Sequence, residues 1–457
     1  MAVHVSPITR KPCITDVGVI ALVPDRWNTF WETRHFVLTC LSEYFPVVWC
    51  NPPYTRQDFW KNRVDTEFGQ DSSSFPGLSV YQPARWLLKI GRPSFLGYWM
   101  GKRRLSHARD LLVSQGCRKI IVYLWRPNFQ GALDLMNYDL SCYHIDDDYT
   151  LDDTHQVLME SERKIASRVD QVIVTSPGLL AKKGHFNHNT LFVPNGVDFQ
   201  TFATSCIEPK DLLPIPHPRI GYVGVIKQQL NLPLLLDLAK RNPDVSFVLV
   251  GPQRLHQEVS RLILELSRLP NVYLLGPKSL EELPAYQQYM DVSLLCYKVN
   301  SYTHCVYPLK LHQYLASGTP IIGSRIRSLE DFVSVIDLAD TANEWNLCIK
   351  KVLSPGYDSE EEAEKRRGLA KQHDWKRLVE KIAYSLCQRL GGSYPERFRQ
   401  EILKNGIVQT ETKCSKRSMV KVHRSESTKK QQSMEIGPDE NEKLQGNYLN
   451  PTTSEHS

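Results

Sequence analysis

At 457 residues the chain is long enough for two domains with extensions, and its 41 % hydrophobic and 23 % charged content is that of a soluble globular protein. A formal net charge of +6 favours acidic partners such as sugar nucleotides or anionic lipid, and is too mild to indicate nucleic acid. The eleven scattered cysteines show no CxxC pair and no zinc-like spacing, which reads as reduced thiols. With no signal-peptide core and no run of ~18 apolar residues, the expected location is cytoplasmic, at most peripheral to a membrane surface.

The segment 17–23 (VGVIALV) is a short apolar run and a first parallel strand. A helix is expected from about Thr33 to Tyr44, then a second strand over 45–50 (FPVVWC). Open α/β sheets bind ligands in the loops after their strands, so Trp27, Arg34 and His35 are acceptor-side candidates; the alternative is that the tryptophans cap the core. A weak strand at 78–81 precedes residues 85–109, which hold seven Lys/Arg and no acid, interleaved with Trp86, Phe95, Tyr98 and Trp99. That mixture suits an anionic membrane surface or a lipid-linked acceptor. The alternative is a buried helix with solvated basic ends. Single-stranded nucleic acid would also fit the pattern, but nothing else in the chain supports it.

Segments 119–125 (KIIVYLW) and 140–145 (LSCYHI) are further strands, the second running into Asp146, Asp147 and Asp148. Three carboxylates at a strand end are costly unless something uses or solvates them. They orient sugar hydroxyls, act as a base, hold a cation, or cap the helix that starts near Thr154. Three consecutive aspartates cannot all point one way, so no metal is expected. Strands at 171–175 and 190–193 follow, then Pro194-Asn195-Gly196-Val197-Asp198, where Asn-Gly makes a tight turn into a second domain.

Residues 199–218 are polar and Pro-rich, as a linker should be. A new strand at 219–225 ends near Gly224, with Lys227 just after. A glycine at a strand end lets the backbone approach a ligand closely, and a lysine there can meet a diphosphate. Strands at 245–250 and 271–275 end in Gly251 and Gly276. Segment 307–323 (YPLKLHQYLASGTPIIG) reads as a helix with Pro308 in its first turn, Lys310 one turn in and Gly318 past its end, then a buried strand. Free N–H groups at such a helix start favour a phosphate. Helical residues continue over 359–391, and 405–457 is poor in apolar groups, so disorder is expected there.

Segment 307–323 resembles the donor-site helix of glycosyltransferase family 4, typically P-x-K-x-x-E-Y-x-A-x-G-x-P-V: Pro308, Lys310, Tyr314, Ala316, Gly318 and Pro320 match, and Gln313 stands where the family usually has Glu. VPNGVD at 193–198 resembles the end of that family's first domain, and YHIDDDY at 143–149 a loop of its exopolysaccharide and teichuronic-acid enzymes. The resemblance spans about 16–391 and implies an α/β chain of GT-B architecture, two Rossmann-like domains facing across a cleft. The expected division is 1–198 for the acceptor side, a linker at 199–218, 219–372 for nucleotide-sugar binding, a crossover helix at 373–391 and a disordered tail at 396–457.

The family further implies His144, Asp147 and Asp148 beside the transferred sugar. It implies donor contacts at Gly224, Lys227, Gly251, Gly276, Pro308, Lys310 and Gln313. Tyr302, with Thr303 and His304, is either a sugar contact or exposed loop. The expected reaction is retaining transfer from a nucleotide-sugar donor (UDP or GDP), with no separate cofactor, to a carbohydrate, lipid-linked or small-molecule acceptor. Gln313 also admits a non-catalytic binding or scaffold protein of the same fold. A dinucleotide oxidoreductase is disfavoured because VPDRWN, not GxGxxG, follows the first strand.

Overall fold

The fold is given by a computed structural model describing residues 11–27, 31–54, 74–87, 95–149, 155–254 and 257–404. The tail expectation for 405–457 lies outside the described residues. The described residues all lie within one compact unit, 1–408.

The N-terminal lobe is a seven-stranded sheet, ordered β3-β2-β1-β4-β5-β6-β7. Its strands are β1 (Val17–Leu22), β2 (Val47–Cys50), β3 (Leu78–Tyr81), β4 (Lys119–Leu124), β5 (Leu140–Ile145), β6 (Gln171–Val174) and β7 (Thr190–Phe192). Every pairing is parallel, for example Val17 opposite Lys119 and Leu22 opposite Leu124. Both faces are therefore covered, which is why the strands are apolar runs rather than alternating ones. On one face lies α1 (Thr33–Leu41), and on the other α2 (Phe95–Ser114) and α3 (His155–Arg168). Short helices α4 (Pro177–Lys183) and α5 (Phe199–Ala203) bracket β7.

The second lobe repeats the plan with six parallel strands ordered β10-β9-β8-β11-β12-β13. They are β8 (Arg219–Val223), β9 (Ser246–Val250), β10 (Val272–Gly276), β11 (Val292–Leu295), β12 (Ile321–Ser324) and β13 (Asp337–Ala339). Between them run α6 (Leu232–Arg241), α7 (Gln257–Leu266), α8 (Leu283–Gln288) and α9 (Leu309–Ser317), followed by α10 (Ala342–Val352) and α11 (Glu360–Gln372). In each sheet the winding reverses once, between β1 and β4 and between β8 and β11. Ligands of such sheets bind in the crevice at that reversal, beyond the carboxyl ends of the strands.

Residues 359–391 are not one helix. Asp374 accepts from the Lys376 N–H, caps a new helix α12 (Trp375–Leu390), and so breaks the run after α11. Trp375, Leu378, Val379, Ile382, Ala383 and Leu386 of α12 are buried in the N-terminal lobe's core, although they follow the second lobe in sequence. A further helix, α13 (Tyr394–Lys404), packs on α12, with Phe398 and Ile402 buried and Arg397 paired to Asp16 at 2.8 Å. The ordered chain thus extends past Pro395, and the tail boundary at 396 is corrected to beyond Lys404. The expected helix at 33–44 also stops earlier, at Leu41, because a turn over 42–44 feeds β2 directly.

Removing the Phe398 ring leaves a cavity against Tyr44 and Tyr384, whose rings lie 5.3 and 5.9 Å away. Phe398→Ala is therefore expected to lower stability by about 3 kcal/mol. Urea unfolding reads this directly, and a loss under ~1 kcal/mol would show that α13 is not part of the core.

Candidate active site

The C-terminal lobe's crevice is built on two glycines. Gly224 follows β8 at φ +145° and Gly251 follows β9 at φ +141°, conformations that side chains rarely adopt. A Cβ on Gly251 would lie 2.2 Å from the Gly224 carbonyl oxygen, and one on Gly224 would lie 2.0 Å from Lys310 Cε. The glycines therefore let two strand ends and one lysine share a space that side chains would fill. Gly276, at φ +70°, ends β10 with open space around it.

Lys310 comes from the first turn of α9, whose N-cap is Pro308. The Pro308 carbonyl accepts from the Leu311 N–H, and the free N–H groups at this end face the same crevice. Tyr314 ties α9 to the strand, its hydroxyl accepting the Val223 N–H at 2.9 Å. The Lys310 ammonium sits 5.1 Å from the Tyr222 ring centroid. Burial and the neighbouring Lys227 cation push its pKa down to about 7. Lys227 is likewise lowered, by burial first, against the pull of Asp147. No salt bridge within 4 Å neutralises either ammonium among the described residues. Gln313, one turn along the same face of α9, accepts from the Gln287 side-chain amide at 3.5 Å.

Across the crevice, the three aspartates after β5 go three ways. Asp146 faces Arg126 at 3.0 Å and Arg34 at 3.2 Å, and also takes the Tyr149 hydroxyl. Burial opposes its charge, but the two guanidiniums hold its pKa below the usual carboxylate range. Asp148 is buried against Lys182 at 2.6 Å and Lys183 at 2.9 Å, and Lys183 pairs onward to Glu162. Asp147 reaches the other lobe, accepting the Tyr302 hydroxyl at 2.8 Å. Burial, and then the Asp146 charge, raise its pKa. Among the described residues no group of three or more His, Cys, Asp or Glu is arranged to hold a metal ion.

His144 is buried in β5, stacked on Trp125 with centroids 4.1 Å apart, and its Nδ1 meets the Tyr123 hydroxyl at 2.8 Å. Burial pushes its pKa to about 3, so the ring is neutral near pH 7. Its Nε2 has no hydrogen-bond partner among the described residues, although it is buried.

The acceptor-side candidates fall elsewhere. Trp27, Trp31, His35 and Trp49 form one aromatic cluster with centroids 4.6–5.9 Å apart. His35 accepts the Glu32 N–H at 3.1 Å, and burial and Arg34 push its pKa to about 3. Trp27 and His35 are therefore buried in this cluster, and His35 Nε2, like that of His144, has no hydrogen-bond partner among the described residues. Arg34 is buried too and spends its charge on Asp25, Glu32 and Asp146. Arg126, directly after β4, is the basic residue that does line the cleft. Its place just past the apolar run 119–125 was the sequence signal for it.

Between the lobes lies a cavity of about 690 Å³. Arg126, Asn128 and Tyr149 line it from one side, and Gln228, Lys298 and Tyr302 from the other. That is ample for a sugar and part of a nucleotide. Thr303 is buried and bonds within its own loop, to the Lys298 carbonyl at 2.6 Å. The His304 carbonyl lies where a Cβ on Gly178 would meet it at 2.2 Å. The same loop is pinned across the cleft by Ser176, which donates to the Cys305 carbonyl at 2.6 Å, and by Asn195, which donates to the Tyr307 carbonyl at 2.7 Å.

Residues 217–353 match the family described as Glycosyl transferases group 1. A candidate teichuronic acid biosynthesis glycosyltransferase of Bacillus subtilis strain 168, TuaH, is 31 % identical over 318 residues, or 65 % of this chain and 79 % of that protein. Among solved structures, a sucrose-phosphate synthase of Thermosynechococcus elongatus superposes with a TM-score of 0.60 at 17 % identity, covering 83 % of this chain and 99 % of the other. HepE of Anabaena with UDP-glucose gives 0.60 at 16 % identity, covering 81 % and 99 %. These two likenesses establish the two-domain GT-B fold.

A lysine held near pH 7 costs the empty protein stability. Its pKa in the folded state lies below the unfolded value of ~10.4, so the cost is fully present below pH 7 and is relieved as pH rises towards 10. Lys310→Met is therefore expected to raise the melting temperature of the ligand-free protein by roughly 2–4 °C at pH 6.5, with the gain shrinking by pH 9.5. Scanning calorimetry at both pH values checks this, and a Tm that falls at both would show Lys310 to be structurally required.

Proposed function

We propose that this chain, which belongs to the glycosyl transferases group 1 family, binds a nucleoside-diphosphate sugar with its diphosphate between Lys227 and Lys310. The observation that carries the reading is this pair of mutually repelling, half-buried ammonium groups at the mouth of two strands and a helix N-terminus. Like charges without a counterion destabilise a fold unless an anion is the intended third member. A diphosphate supplies that charge, and helix N–H groups complete its shell. A purely structural scaffold of the same fold would carry the repulsion with no return.

The donor's base is uridine or guanosine, entering beside Gly276 and the turn after it. HepE, a structure of the same fold, is complexed with UDP and with UDP-glucose, which favours uridine. As the glycosidic bond to the diphosphate breaks, negative charge grows on the leaving oxygen. Lys227 and Lys310 offset that charge where water is excluded and electrostatic terms are large. Gln313 accepts a ribose hydroxyl through its amide oxygen.

The transferred sugar lies in the cleft against β5. The neutral His144 positions a sugar hydroxyl through Nε2, which lacks any other partner. Asp147, its pKa raised by burial and by Asp146, accepts a hydroxyl in place of Tyr302 and is the group best placed to take a proton from the acceptor. Asp146 and Asp148 hold the loop rather than the substrate. Retention of configuration follows the family pattern, and the acceptor, a glycan or a lipid-linked saccharide, enters from the N-terminal lobe.

Calorimetric titration with UDP-, GDP-, ADP- and dTDP-sugars tests the donor. One class is expected to bind wild type and to bind Lys310→Ala, Lys227→Ala and Gly224→Ala at least ~100-fold more weakly, as for loss of a charge-assisted contact in a dry site. Binding by none of the four to folded protein would overturn the reading. Protonation adds an independent check. Free Lys310 loses its proton as pH rises through about 7, whereas the diphosphate requires the cation. Affinity is expected to fall by up to about tenfold per unit above pH 7.5, with close to one proton taken up on binding at pH 8.5. Titrations in buffers of different ionisation enthalpy count that proton.

A further inference from the structure

We propose that the outer face of α2 docks this protein onto an anionic lipid bilayer. The helix is amphipathic in an unusual sense. Its inner face, Gly101, Leu105, Ala108 and Leu112, is buried on the sheet, so the packing needs of the lobe are met. Its outer face is not polar. Phe95 is 86 % exposed and Trp99 44 %, with Leu96 and Tyr98 each 51 % exposed beside them. Trp86 is 53 % exposed, and its ring lies 6.1 Å from that of Trp99. Isolated exposed apolar residues are ordinary, but a contiguous aromatic patch marks a surface that meets something other than water.

The charge pattern identifies the occupant. Phe95, Trp99, Lys102 and Arg103 follow helical spacing along one face, and both cations are exposed. Between Arg85 and Arg109 there is no acidic residue. Aromatic rings at one end of a helix and cations on the next turn fit a bilayer interface, where rings sit at headgroup depth and lysine or arginine meets anionic phosphate. A protein partner would need complementary carboxylates and a shaped pocket; a fluid anionic surface needs neither.

The placement also serves the site. The inner face of α2, through Gly101, Arg104 and Leu105, lines a cavity of about 240 Å³ with Leu22, Cys50 and Tyr81 at the carboxyl ends of β1 to β3. A bilayer held on α2 thus lies about one helix diameter, ~10 Å, from the strand ends where an acceptor enters. Docking itself does not depend on glycosyl transfer and is tested without it.

The test is co-sedimentation of the full chain with vesicles of phosphatidylglycerol and phosphatidylcholine, beside pure phosphatidylcholine. Binding is expected only to the anionic vesicles, with a blue shift of tryptophan emission, and weakening as salt rises. Each basic residue at such a surface is worth about fivefold in partitioning, so Lys102→Glu with Arg103→Glu is expected to weaken binding by more than ~25-fold. Phe95→Ala with Trp99→Ala should weaken binding by ~10-fold or more and remove most of the blue shift. All four positions are exposed, so the melting temperature should not move. Equal binding to both vesicle types, or anionic binding that both double variants leave intact, overturns the proposal. So does a dimer in solution that Trp99→Ala dissolves, which would assign the patch to a second copy of the chain.

Discussion

Two lysines facing one another without a counterion are the constraint that organises the second lobe. They are brought together by three elements distant in sequence: the turn after β8, the turn after β9 and the start of α9. Each contributes something chemically specific. Gly224 and Gly251 supply positive φ and the absence of a side chain, and α9 supplies Lys310 and its unpaired N–H groups. The Tyr314 hydroxyl fixes α9 to the Val223 backbone, so the lysine's approach is set by a rigid helix rather than by a loop. The resulting repulsion is stored in the protein, with burial and the neighbouring Lys227 cation lowering the Lys310 pKa. That is the usual exchange of stability for function at a preorganised site.

The N-terminal lobe solves the opposite problem, too much negative charge in one place. Asp146, Asp147 and Asp148 are adjacent in sequence, yet each has a separate environment. Two are neutralised within the lobe, by Arg34 and Arg126 and by Lys182 and Lys183. Asp148 also lines the cavity between the lobes, while Asp147 accepts the Tyr302 hydroxyl and feels the Lys227 charge rather than an ion pair of its own. The splay of consecutive side chains after a strand achieves this separation, and the buried pairs keep the loop in register. Asp147, Ser176 and Asn195 then grip one short loop of the second lobe, Tyr302 to Tyr307. Helix α12 links the lobes again from behind. Any opening of the cleft on this side must break those few hydrogen bonds while α12 stays seated.

The parallel strands and the helix at 309–317 were legible because each is a local pattern: an apolar run, a glycine or proline stop, a proline just before a helix. What was not legible is which charge meets which. Arg34 looked like a ligand contact because it follows a strand loop, but its partner Asp146 is 112 residues away. Asp147 and Tyr302 are separated by 155 residues. Trp27 and His35 follow a strand end in the manner of binding residues, yet three tryptophans in one neighbourhood gain more from packing on one another than from facing water. The division between α11 and α12 falls at the expected start of the crossover helix, with Asp374 as the cap that separates two helix-forming runs.

Gln313 is best understood through the same charge balance. A glutamate at that place on α9 would put a negative charge one turn from Lys310 and offset part of the repulsion in the empty site. The amide does not, and its oxygen instead accepts from the neutral Gln287. Helix α9 therefore brings no carboxylate to Lys310, and the negative charge that acts on Lys227 comes from Asp147 and Glu32 of the other lobe. In the donor pose proposed above, an amide at this place gives up a charge-assisted hydrogen bond to a ribose hydroxyl.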